Sequence, residues 1–103
     1  MAWLLLLSAA LLEIVWALAL ERSAGFTRPW PAILGVSAAT ASFALLALAL
    51  RDLPVGTAYA VWVGLGAVGV ALAGILVLGE SATPMRLACL AFIVLGVVGL
   101  RLT

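Results

Sequence analysis

Glu13 is the residue whose type and setting point to chemistry. It stands inside Leu4 to Leu20, LLLLSAALLEIVWALAL, an otherwise uncharged run. At about 1.5 Å of rise per residue, a helix over 2–20 covers close to the roughly 30 Å of a hydrocarbon core. A carboxyl group held there costs at least about 2.5 kcal/mol by insertion scales, so such groups face a protein interior or a wet cavity and mark an ion pathway. The competing reading is an acid that stays protonated and only hydrogen-bonds a neighbouring helix. No Lys or Arg lies in the interior of any expected span; Arg86 and Arg101 stand at the two ends of the fourth. The anionic form therefore needs a proton or a cation from outside. Two visitors alternating at one carboxylate constitute exchange, not catalysis, and no enzyme activity is expected.

Helical spacing supplies a shell. Ala9, Ala10, Trp16 and Ala17 lie three and four residues from Glu13, leaving room beside the carboxylate above one indole. Tyr59 and Trp62 share a face, continued by the bare backbone of Gly66. Their rings offer both hydrogen bonds and π faces, and a cation over such rings gains about 0.5 to 2 kcal/mol. Tyr59 also fits an interfacial aromatic belt, as do Trp3 and Trp30 at the ends of spans. Ser42 lies mid-span, where its hydroxyl needs a partner, on another helix or on its own backbone.

The elements that must position these residues are four. Of the 103 residues 68% are hydrophobic, with five arginines, four acids and no His. A soluble domain of this length cannot hide that much apolar surface, so the class is an all-α membrane protein. Charges, Gly and Pro divide it into helices of about 2–20, 31–50, 55–78 and 84–102, one domain over 1–103. The third helix carries Gly64, Gly66 and Gly69, and a bend is expected there. The fourth has no charge between Arg86 and Arg101, and Gly96 and Gly99 make it a candidate oligomer contact. An Ala17-Leu18-Ala19 stretch resembles a signal-cleavage site, but no basic residue precedes the apolar run. Cys89 is alone and forms no intrachain disulfide. No metal, cofactor or nucleic-acid partner is expected; the net charge of +1 is too small for the last.

Four crossings place Arg22, Arg28 and Arg86 on one side and Arg51 and Arg101 on the other. The positive-inside bias is nearly nil, and both orientations are plausible. Four packed helices enclose little space of their own, so a homodimer is the natural cavity, antiparallel if insertion is dual. Two copies of Glu13 then share a midplane site that rocks between inward-open and outward-open.

Over its full length the chain resembles the small multidrug resistance transporters. The resemblance rests on 13–17 (EIVWA), 23–28 (SAGFTR), 41–43 (ASF) and 53–66 (LPVGTAYAVWVGLG). It implies an antiparallel, dual-topology homodimer in the inner (plasma) membrane that exchanges protons for small organic cations. Trp16, Gly56-Thr57-Ala58-Tyr59 and Gly64-Leu65-Gly66-Ala67-Val68-Gly69 are similar to the guanidinium-exporter subtype, with the quaternary-ammonium subtype as the alternative. By this resemblance Glu13 binds substrate and proton in turn, Trp16 and Ser42 orient it, and Tyr59 and Trp62 complete the site. Glu21, where the family usually has Lys, and Ala10, where the subtype often has Gly, depart from the pattern. The first alters loop charge; the second narrows the space beside Glu13.

Overall fold

A computed structural model describes residues 1–102 as four helices: α1 (Ala2–Arg22), α2 (Pro29–Ala49), α3 (Val55–Val77) and α4 (Pro84–Leu102). All four are long and apolar enough to cross a membrane. Two boundaries differ from the sequence expectation by two residues, and α2 and α3 each end one residue sooner than expected. Helix α1 runs on past residue 20 because the buried Ser23 caps it. The Ser23 backbone N–H donates to Ala19 O at 3.0 Å, and its hydroxyl donates to Leu20 O at 2.7 Å while accepting from the Phe26 N–H at 3.1 Å. Helix α2 starts at Pro29, not 31. A proline at the first helical position forfeits only an N–H that has no intrahelical partner. Between the caps, Ala24, Gly25 and Phe26 take φ of 49°, 73° and 69°. This left-handed turn is free of steric penalty only at the glycine.

Helix α1 packs chiefly on α2 and then on α3, whereas α4 packs on α3, with Arg101 reaching Trp3 of α1. The α1–α2 seam is built from small side chains. On α2, Gly35, Ala38, Ser42, Leu46 and Ala49 are buried at helical spacing, facing Leu6, Ala9 and Ala10 of α1 among others. Lipid tails are as apolar as Leu, so close van der Waals approach drives such pairing in a bilayer, and small residues permit it. At Gly35 the approach is so close that an added Cβ would come within 2.8 Å of Leu20 Cδ2 and 3.4 Å of its backbone N.

Helix α3 runs unbroken through Gly64, Gly66 and Gly69, and each glycine is a contact point. A Cβ on Gly64 would lie 2.9 Å from Val97 Cγ2 of α4, and one on Gly69 would overlap Ile14 of α1. The α3–α4 loop is closed by Arg86. Its Nη2 lies 2.9 Å from Glu80 Oε1, and its Nη1 donates to Ser81 O at 3.0 Å. The rest of α4 is bare. Val97 is its one buried residue among those described, Phe92 and Leu95 are strongly exposed, and nothing lies near Gly96 or Gly99.

Candidate functional site

The site begins with the backbone seam. Ala9 and Ala10, buried one turn before Glu13, bring α2 against α1 there. A glycine on α3 then does the same from the other side: a Cβ at Gly66 would overlap the Glu13 carboxyl carbon and both of its oxygens. The carboxylate rests on bare backbone. Glu13 is half-buried, yet its Oε1 is shielded from solvent and has no hydrogen-bond partner among the described residues. The indole N–H of Trp16, one turn further along α1, is likewise buried without a partner. A shielded acceptor and a shielded donor, both unsatisfied and on one helix face, form a polar spot within apolar surroundings. Such groups cost free energy until something bonds to them.

Ser42 behaves otherwise. It is fully buried, and its hydroxyl donates to the Ala9 carbonyl at 2.7 Å while accepting from Trp62 Nε1 at 3.0 Å. Of the two sequence readings, the interhelical one is what the structure displays. The acceptor is neither its own helix nor the Glu13 carboxylate. In a regular helix the Ala9 carbonyl also accepts the Glu13 backbone N–H. Ser42 therefore ties the indole of α3 to the peptide group that anchors Glu13, joining three helices through one hydroxyl.

The aromatic groups gather on Trp62. Tyr59 meets it edge-on at 5.6 Å between centroids and 75°, and Phe43 meets it at 5.1 Å and 56°. Trp62 is buried, while about half of Tyr59 and of Phe43 is exposed. Tyr59 thus belongs to the cluster and still presents its ring outward. Sequence reasoning had the pair of Tyr59 and Trp62 but not Phe43, although Phe43 directly follows Ser42 and that adjacency was the available signal. It also missed the Ala9 carbonyl, since a backbone acceptor has no sequence signature. Glu13, Trp16 and Gly66 form one group, and Ser42, Tyr59 and Trp62 another, linked through Ala9 and through the single turn of α3 between Trp62 and Gly66.

Similarity to known proteins runs along most or all of the chain. The family model described as Small Multidrug Resistance protein matches residues 1–93. Proteins named guanidinium exporter from Escherichia coli (strain K12) and Shigella flexneri are each 58% identical to the chain. One from Citrobacter freundii is 56% identical. In all three the match covers 100% of this chain and 98% of the relative.

Proposed function

The chain belongs to the small multidrug resistance family, and we propose that it is a proton-coupled antiporter that exports guanidinium and small guanidinylated cations across the inner membrane. The observation that carries the reading is the Glu13 carboxylate, placed within a membrane span, resting on Gly66 and lacking any internal cation. A planar guanidinium donates paired hydrogen bonds that suit a carboxylate side-on. The unsatisfied Oε1 is one of the two acceptors such a pair requires. A proton at the same oxygen removes the negative charge and releases the cation, so the two ligands compete and their fluxes are coupled.

The working form is an antiparallel, dual-topology homodimer. In its favour are the near-even distribution of Arg between the two sides and the unpartnered outer face of α4. Alternating access then consists of the two copies exchanging inward-open and outward-open roles around the paired carboxylates. In that movement Gly64, Gly66 and Gly69 let α3 bend. Ser42 sets the carboxylate's orientation through the Ala9 carbonyl, and Trp16 does so when its unpartnered indole N–H turns to the carboxylate.

The test is transport by the reconstituted protein in liposomes. Guanidinium should drive proton movement with the wild type and not with Glu13→Gln, and retained coupling in the variant refutes the proposal. A second reading, export of quaternary ammonium compounds, draws on the Phe43–Trp62–Tyr59 cluster, since such ions need aromatic faces and not donors' partners. It predicts that tetraalkylammonium drives protons and guanidinium does not.

A further inference from the structure

Away from Glu13, a second recess opens between the start of α1, the side of α3 and the end of α4. Its deeper part is a slot of about 300 Å³ with apolar walls that include Leu7, Leu65 and Val98. Its outer part, about 440 Å³, runs past Leu53, Pro54 and Thr57 where α3 begins. Trp3, Arg101 and Leu102 border both parts. At that junction the Arg101 guanidinium carbon stands 4.9 Å from the centroid of the Trp3 ring, a cation–π contact that holds the charge in place. The one ion pair among the described residues joins Glu80 to Arg86, so no side-chain carboxylate neutralises Arg101.

We propose that this recess binds an anionic phospholipid from the bilayer, with an acyl chain in the slot and the phosphate on Arg101. The slot's walls offer nothing to a polar group and everything to an alkyl chain. Its mouth presents a fixed guanidinium in the last turn of a membrane-spanning helix, the depth at which headgroups lie. Basic pockets between membrane helices take lipid headgroups by this charge match, and guanidinium forks bind phosphate with two parallel hydrogen bonds. A soluble anion would leave the slot unfilled. The inference does not depend on what the transporter carries.

Native mass spectrometry of the purified protein, offered equal phosphatidylglycerol and phosphatidylcholine with matched chains, tests it. The wild type should retain phosphatidylglycerol with about a fivefold preference, the size expected for one interfacial arginine. Arg101→Gln should bring the ratio to one. Val98→Trp, which fills the slot, should lower retention of both lipids. Leu7→Trp on the facing wall serves if Val98→Trp does not fold, with helical circular dichroism as the check. Three results overturn the proposal: an unchanged preference in Arg101→Gln; loss of the preference on adding inorganic phosphate, which marks a headgroup-only site; or slot-filling variants that break the oligomer and leave lipid retention intact, which marks a protein contact.

Discussion

Replacing Gly66 by Ala probes the site with one methyl group. In the wild type the Glu13 carboxyl group occupies the volume that the new Cβ would need, overlapping it at the carboxyl carbon and both oxygens. Those atoms are the end of a flexible side chain. The backbone seam need not move, and the carboxylate yields instead. Inserting a methyl into a filled position costs about 1 to 3 kcal/mol. Here that cost falls on the geometry of Glu13 more than on the fold. Carried into cation binding, it predicts guanidinium affinity lower by about fivefold to 150-fold, at about 1.4 kcal/mol per decade. Thermal unfolding in detergent should shift little. Gly56→Ala is the control, because nothing lies within 4 Å of where its Cβ would sit. Affinity is read by isothermal titration of the purified protein, and transport by electrophysiology on supported membranes. Wild-type affinity in Gly66→Ala would refute the idea that bare backbone at this position makes the carboxylate's seat. Collapse of the helical fold would refute the division of cost between site and scaffold.

Three further outcomes follow from the same geometry. Ser42→Ala removes the donor to Ala9 O and strands the buried Trp62 N–H, so unfolding in detergent should become easier by about 0.6 to 2 kcal/mol, a range typical of interhelical hydrogen bonds in membranes; an unchanged unfolding midpoint would contradict it. Trp16→Phe deletes a shielded donor that has no partner among the described residues, so stability should hold or rise while guanidinium affinity falls; equal binding by wild type and variant would remove Trp16 from the site. Acidification should weaken guanidinium binding, because a proton on Glu13 abolishes the charge that the cation needs. One-for-one competition raises the apparent Kd by up to about tenfold per pH unit. A pH-independent Kd in the wild type would break the exchange scheme.

The four spans were legible because each is an apolar run of membrane-crossing length bounded by Pro, Gly and charge, and no tertiary fact is needed to see that. Their ends were less so. The extension of α1 hangs on a hydroxyl bonding back to Leu20 O, and the start of α2 on which of Pro29 and Pro31 comes first, choices that hydropathy does not resolve. Trp62 and Tyr59 were legible as a pair from their spacing of three. Phe43 joins them from another helix, and spacing within one helix cannot reveal it.

What the sequence determined by itself is the need: an acidic group in an apolar span, with no cation nearby in the chain, must be neutralised by something mobile. Where that group rests was decided only by the tertiary structure. Glycines at 64, 66 and 69 look alike in a hydropathy profile, yet one meets Val97, one Glu13 and one Ile14. The difference lies in the rotation of α3 against α1 and α4, and that rotation is set by the summed packing of every side chain along the seams. The Ser42 hydroxyl tells the same story. Its demand for a partner was written in its type, but the choice of the Ala9 carbonyl came from how closely two stripes of small residues let α1 and α2 approach.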